Sequence, residues 1–208
     1  MRFRSTGLLL SLACVAVLAL LCACAYPPKT AQQFIAGYGI ENPQPSGFKL
    51  CYMHDCTCSA QVSLSPAQWD RVRRIFEPPS TDAAMERARV IQAIALLEQM
   101  VGKMTGTDRD IGGSFRGSFL PGQMDCIDEA INTSTYLTMM EAQGLLKYHD
   151  FFEPAHRGYI INGWPHFATV MVEKATDTKY VIDSWFLDNG EDPYILPIKK
   201  WKSGWRPR

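Results

Sequence analysis

The sequence has no excess of charge of either sign. Its 21 Lys and Arg residues balance 21 Asp and Glu residues over 208 positions, and no long run of Lys or Arg occurs. Because nucleic-acid binding needs a concentrated basic surface, this balance argues against DNA or RNA as a partner. The chain also lacks internal repeats and low-complexity segments, and its 47% apolar content is typical of a globular protein rather than a disordered tail or a fibre.

Cysteine is also sparse, with seven residues in the whole chain. A small fold held together by disulfides instead of a core would need a higher density. The positions of the seven cysteines are therefore more informative than their number.

The first 25 residues have the pattern of an export signal. Arg2 and Arg4 precede an apolar stretch over residues 7–23, as in a secretory signal peptide. The alternative is an uncleaved transmembrane helix, but these 17 residues are barely enough to cross a bilayer. We therefore predict a signal peptide over residues 1–23.

The end of this stretch, Leu21-Cys22-Ala23-Cys24, resembles the bacterial lipobox. In that motif a small residue precedes the cysteine that is lipidated, so Cys24 fits and Cys22, which follows Leu21, fits less well. Ala25 after the cysteine resembles the pattern of lipoproteins sent to the outer membrane. The expected product is a lipid-anchored protein of the bacterial cell envelope, held by its N-terminal lipid on the outer membrane and facing the periplasm.

The rest of the chain divides into a tether and one domain. Residues 24–48 contain four prolines and little periodicity, which predicts a tether. Residues 49–208 suit a single α+β domain with a core of normal size. Capping signals and apolar spacing predict helices that begin at Ser65, at Thr81 or Asp82, and at Asp125. Alternating apolar residues predict strands over about 159–162, 166–173 and 180–186, with a candidate edge segment at 193–197.

Cys126 stands at the start of the third predicted helix, just after a glycine-containing loop. The N–H groups at a helix N-terminus stabilise a thiolate and point donors at an oxyanion formed beside it. This gives Cys126 a physical reason to be a nucleophile. The alternative is a buried structural cysteine, since Ile127, Ala130 and Ile131 form an apolar stripe on the same helix.

Two later residues favour the nucleophile. His166 opens one predicted strand, and Asp183 lies inside the apolar stretch Val-Ile-Asp-Ser-Trp of the next. A carboxylate in such a strand is costly to bury without a partner. We expect Asp183 to orient His166, and His166 to take the proton from Cys126.

These residues resemble a known family. A helix that starts Asp125-Cys126-Ile-Asp-Glu-Ala130, a His at a strand start and Val-Ile-Asp in the next strand are similar to the bacterial transglutaminase-like cysteine peptidases, of the papain-like superfamily. The resemblance covers about residues 81–200. It implies a nucleophile helix packed on an antiparallel sheet, with additional N-terminal helices, and it implies Cys126 as nucleophile, His166 as general base and acid, and Asp183 as orienting residue.

The spacing of His166 and Asp183 leaves the strand register open. A turn centred on Thr176-Asp177 would pair His166 with Leu187 and make Asn189 the nearer orienting group. A turn centred on Lys174-Ala175, or a bulge, would place Asp183 directly opposite His166. We keep Asp183 as the expected partner because its charge otherwise lacks an explanation.

Two further features concern the surroundings of Cys126. Gln123 could donate its amide to an oxyanion, or could be a loop residue that faces water. Cys51, Cys56 and Cys58, with His54 between them, are crowded for a zinc site, and an exported protein favours a Cys51–Cys56 or Cys51–Cys58 disulfide over metal or free thiols.

The expected function is hydrolysis or transfer at an amide or isopeptide bond through a thioester. The substrate would be a peptide, a protein or a peptidoglycan peptide, and no cofactor or metal is expected. The alternative is an inactive papain-like scaffold that binds partners in the cell envelope, since fold resemblance does not prove turnover.

Overall fold

The computed structural model describes residues 27–114, 117, 119–158 and 164–208. The predicted signal peptide and lipidated Cys24 lie outside the described residues, as does the strand expected over 159–162. The described part is an α+β structure with two antiparallel sheets, which confirms the α+β class that was predicted. Within the described ranges, no helix is both long and apolar enough to cross a membrane.

The predicted helices are present, with bounds close to those expected. Five helices follow one another along the described chain: α1 (Ala31–Ala36), α2 (Pro66–Ile75), α3 (Ala83–Thr105), α4 (Cys126–Ala142) and α5 (Ile198–Lys202). The Ser65 side chain caps α2 and Gln68 completes the capping box, as predicted. Asp82 caps α3, which runs past Gly102 and ends at Gly106 in a left-handed conformation with φ 81°.

The larger sheet has four antiparallel strands in the order β3-β4-β5-β6. The strands are β3 (His149–Arg157), β4 (His166–Glu173), β5 (Thr178–Asp183) and β6 (Tyr194–Pro197). The bounds of β4 match the prediction, and β6 occupies the candidate edge segment. The pattern missed β3 because Pro154 and charged residues interrupt its alternation. Pro154 is tolerated there because β3 is an edge strand and its pairing shifts between Phe152 and Ala155.

The smaller sheet is a hairpin that the pattern did not predict as strands. It pairs β1 (Phe48–Tyr52) with β2 (Cys58–Val62), and Cys51 lies opposite Ser59. A single core joins this hairpin to α2, α3, α4 and the large sheet through residues such as Leu50, Trp69, Ile94 and Met139.

The predicted tether over 24–48 is wrong for its described part. Thr30 caps α1 with a full capping box, and Ile35 and Ile40 are buried with Ile131 of α4. Thr30 also forms a bridge to Phe152 on the outer edge of β3. The proline content suggested a flexible segment, but its few apolar side chains are packed in the core. This stretch therefore belongs to the domain.

Candidate active site

Cys126 is the first residue of α4, as predicted. Asp125 is the N-cap, and its Oδ1 accepts the N–H groups of Ile127 at 3.0 Å and Asp128 at 2.8 Å. Asp128 in turn accepts the Asp125 N–H, which completes a capping box. The helix start that carries the thiol is therefore fixed on both sides of Cys126.

The thiol of Cys126 faces the start of β4. The backbone N–H of Phe167 hydrogen-bonds to it and favours the thiolate, but burial outweighs this and raises the pKa of Cys126 to about 12. The charges of Asp125 and Asp183 act in the same direction as burial. In this arrangement the sulfur holds its proton at neutral pH, so reaction requires a base that removes it.

His166 and Asp183 form a buried pair. His166 Nε2 lies 2.8 Å from Asp183 Oδ2, and the two side chains are 6% and 1% exposed. The same oxygen accepts a 2.7 Å hydrogen bond from Trp201 Nε1. An indole N–H only donates and a carboxylate only accepts, so Oδ2 is the acceptor in both contacts. Neutral His166 therefore carries its hydrogen on Nε2 and presents a lone pair on Nδ1.

His166 Nδ1 is buried and makes no hydrogen bond with any described residue, Cys126 included. Asp183 Oδ1 is likewise buried without a partner among these residues. An unpaired buried acceptor is costly and uncommon in folded proteins. Nδ1 is therefore the ring nitrogen of His166 that has no partner among the described residues.

The strand register differs from both alternatives considered for the sequence. Glu173 pairs with Thr178, so the four-residue loop is centred between Ala175 and Thr176. Asp183 then lies two positions from the residue opposite His166, a diagonal that long side chains can span. The Thr176-Asp177 register is wrong, and so is Asn189 as orienting group: its Nδ2 donates to the carbonyl of Glu98.

Aromatic rings surround His166. The ring centres of Trp185, Phe186 and Trp201 lie 4.9, 5.1 and 5.5 Å from the imidazole. The fully buried Trp201 was not recognised from the sequence, because α5 is short and three of its five residues are lysines. Trp164, which precedes His166, is 71% exposed and lies at the rim.

Gln123 does not have either role considered for it. It is buried, not solvated. Its Nε2 donates to the Arg109 carbonyl at 2.6 Å, and its Oε1 accepts from the Ile111 N–H at 3.3 Å and Ser114 Oγ at 3.4 Å. The side chain thus holds together the loop before α4, and the structure does not place it as an oxyanion donor.

The cysteine cluster contains one disulfide. Cys51 and Cys56 are bonded to each other, which is one of the two pairings left open, and Cys58 is free. Asn132 of α4 accepts from the Cys51 N–H and donates to the Cys51 carbonyl, both at 2.8 Å. The disulfide segment is therefore attached to α4, the helix that begins at Cys126, a link that the sequence spacing did not indicate.

Three buried acids, one on α3, one in the loop before α4 and one in the first turn of α4, were missed as a group by sequence reasoning. Burial raises the pKa of Glu98 to about 8 and that of Asp110 to about 6, and it raises the pKa of Glu129 well above its usual range. Glu129 accepts a hydrogen bond from Ser184, the residue after Asp183, and Glu98 accepts one from the Gly190 N–H. Glu129 and Glu98 therefore support the loop that follows β5, whereas the Asp110 carboxylate accepts the Met124 N–H in the loop before α4.

Searches against family models, curated proteins and solved structures found no match for this chain.

Proposed function

We propose that this protein is an exported, lipid-anchored cysteine enzyme that acts on an amide or isopeptide bond. The observation that carries the proposal is the buried His166: Asp183 holds its Nε2, and its Nδ1 is left unpaired beside the strand start that donates to the Cys126 thiol. A structural histidine would satisfy both ring nitrogens. A general base needs one of them free.

The reaction follows from these positions. His166 Nδ1 accepts the thiol proton as the Cys126 sulfur bonds to the substrate carbonyl carbon, and the imidazolium then protonates the departing amine as the C–N bond breaks. A thioester to Cys126 remains. Water attacks it in hydrolysis, or a second amine attacks it in transfer. His166 removes the proton of that nucleophile and returns it to the Cys126 sulfur as the C–S bond breaks.

Asp183 and Trp201 prepare His166 for this role. The Asp183 carboxylate fixes the Nε2–H tautomer and stabilises the imidazolium, while the Trp201 N–H fixes the carboxylate. The surrounding rings keep water away from the pair, which strengthens its charge interaction.

The α4 helix against an antiparallel sheet that bears His166 and Asp183 also supports the transglutaminase-like, papain-like fold as a proposal. The substrate class proposed is a peptide, protein or peptidoglycan peptide of the cell envelope, reached from a lipid on Cys24.

Iodoacetamide labelling tests the proton transfer without a known substrate. The tryptic peptide over 117–147 contains Cys126 as its one cysteine, so mass spectrometry can follow this thiol in the full chain. We expect labelling at pH 6–7 because His166 takes the proton, and we expect His166→Asn to slow labelling there by at least about a hundredfold, the contribution of a positioned base. Labelling that titrates at or above pH 8.5 and is unaffected by His166→Asn would exclude the mechanism.

A second assay separates hydrolysis from transfer. Incorporation of a fluorescent primary amine into a glutamine-bearing protein reports transfer, while release of ammonia or of new α-amines reports hydrolysis. Cys126→Ala should abolish whichever activity is found, and Cys58→Ala, which removes the other free described thiol, should leave it unchanged.

The second candidate is an inactive scaffold that binds a cell-envelope partner. Two observations favour it: burial raises the pKa of Cys126 to about 12, and no hydrogen bond joins its sulfur to His166. This candidate predicts that thiol-directed probes label Cys126 only at high pH. It also predicts that Cys126→Ala still binds the partner.

A further inference from the structure

The residues between Cys51 and Cys56 form a left-handed turn that the proposed reaction does not use. Met53, His54, Asp55 and Cys56 have φ values of 64°, 59°, 53° and 55°. Single non-glycine residues adopt this conformation in turns, but four in succession are disfavoured by contacts between each Cβ and the backbone. The Cys51–Cys56 disulfide closes the segment, which we name the disulfide turn (residues 51–56).

The disulfide turn lies against the first turn of α4. The Cys56 N–H donates to Asp128 Oδ1 at 2.7 Å. His54 Nδ1 lies 2.6 Å from Asp125 Oδ2. Of the two acids on either side of Cys126, Asp128 accepts a hydrogen bond from the disulfide turn. Asp125 lies at ion-pair distance from His54, although His54 Nδ1 makes no hydrogen bond with a described residue.

The charge on Asp125 matters because it lies next to the nucleophile. Burial is the main factor that raises the pKa of Cys126, and the Asp125 charge raises it further. Oδ1 of this carboxylate accepts hydrogen bonds from the helix N–H groups, and Oδ2 faces His54. A donor or a cation on that second oxygen withdraws negative charge from beside the sulfur.

Most other titratable groups near this carboxylate or the sulfur are acidic. They come from the N-terminal segment, the disulfide turn, the loop before α4, α4 itself and the sheet: Tyr38, Asp55, Asp110, Asp128, Asp183 and the base His166. His166 is already paired with Asp183. Among the described groups near Asp125, His54 is therefore the base that can offset the negative charge of this carboxylate.

We propose that His54 is a positioning residue for Cys126: it holds and neutralises Asp125, and in doing so it favours formation of the thiolate. The proposal rests on Cys126 being the nucleophile of the proposed function. His54 is 43% exposed and its ring lies 4.6 Å from that of Phe119, so it stands at the surface of the site between the disulfide turn and the loop before α4. It belongs to a part of the chain outside the region that carries the family resemblance.

The test measures the iodoacetamide labelling rate of Cys126 on the 117–147 peptide of the full chain. His54→Gln should slow labelling about tenfold across pH 6–9, since a tenfold smaller thiolate fraction corresponds to a pKa higher by one unit. With Asp125→Asn as background, His54→Gln should have no further effect, because the charge that His54 offsets is gone. A rate at or above that of the original chain, or equal slowing in both backgrounds, overturns the proposal.

Two more variants separate this role from general loosening. The double variant Cys51→Ala/Cys56→Ala should also slow labelling of Cys126. Unfolding would instead expose the thiol and accelerate labelling at every pH. An unchanged or faster rate would contradict the role assigned to the disulfide turn. Cys58→Ser is the matched control and should keep the original rate, and slowing there would contradict the assignment to His54. His54→Gln retains the disulfide, so its result does not depend on the double variant folding.

The outcome is also distinct from that of the proposed function. If the protein shows no turnover but His54→Gln slows labelling, the positioning role of His54 is supported and the proposed enzymatic function is excluded. If the protein shows turnover but His54→Gln does not change labelling, the enzymatic function is supported and the positioning role of His54 is excluded.

Discussion

Replacing Glu98 by Gln should stabilise the protein at neutral pH, although Glu98 is a buried, hydrogen-bonded residue. Its Oε2 accepts the Gly190 N–H at 2.9 Å, and its Oε1 is buried without a partner among the described residues. Burial raises the pKa of Glu98 to about 8, and the nearby Asp110 adds to this. The fold therefore keeps the proton, while the unfolded chain releases it near pH 4.5.

The sign and size of the effect follow from linkage. Between pH 4.5 and 8 the folded state binds more protons at this site than the unfolded state, so the free energy of unfolding falls as pH rises through that window. One group contributes at most about 1.4 kcal/mol per pH unit. At pH 7 the loss amounts to about 3 kcal/mol, and Gln, which cannot ionise, should recover it.

Urea unfolding followed by tryptophan fluorescence at pH 4.5, 6, 7 and 8 measures this difference. The gain of Glu98→Gln over the original chain should be near zero at pH 4.5 and should grow with pH up to about 8. A constant difference across the series would show that Glu98 is ionised in the fold and that its assigned protonation is wrong.

Glu86→Gln is the control of opposite sign. Burial opposes ionisation of Glu86, but His149 and the N–H groups of Lys147 and Tyr148 outweigh it and lower its pKa. Its stabilisation is present above the pKa of the unfolded chain and is lost as pH falls through the folded value. Glu86→Gln should therefore destabilise the protein most at neutral pH.

Three other substitutions test particular contacts. Trp201→Phe keeps a buried ring but removes the N–H that donates to Asp183. It should lower the free energy of unfolding in urea by about 2 kcal/mol and should weaken the effect of His166 on Cys126 labelling. An unchanged unfolding free energy and an unchanged labelling effect would show that this hydrogen bond is not needed. Gly112→Ala places a Cβ 2.4–2.6 Å from the backbone of Leu187, so we expect a loss of about 1–3 kcal/mol, whereas Gly47→Ala, with nothing within 4 Å, should change stability little; equal effects of the two would contradict the close approach. Asn132→Ala removes both hydrogen bonds to the Cys51 backbone and should lower the unfolding free energy by about 2–4 kcal/mol, which thermal denaturation would detect, and a smaller change would mean that water replaces the amide.

The sequence was sufficient where local rules decide the structure. Capping signals located the starts of α2, α3 and α4, because the side chains that satisfy the first N–H groups lie within three residues of them. The strand that begins at His166 was clear because a largely apolar stretch with two valines follows it and ends at Glu173. The pairing of His166 with Asp183 could be expected because a buried charge requires a partner.

Features that depend on distant contacts were not predictable from the pattern. The Trp201 hydrogen bond joins α5 to β5, and the links between Asn132 and Cys51 span 81 positions. The register of β4 and β5 stayed open between two turn centres, and the sheet pairing adopts a third that lies between them. Likewise α1 was hidden by prolines, since its stability comes from packing on α4 and not from its own six residues.

The packed N-terminal segment sets how far the active site could reach from a membrane. For a chain anchored at Cys24, only six residue steps separate the lipid from Thr30, which is fixed to β3, and these span at most about 20 Å. A free tether up to residue 48 would have allowed about 80 Å. Such an enzyme would be confined to a thin layer at the bilayer surface, and substrates deeper in the periplasm would have to come to it.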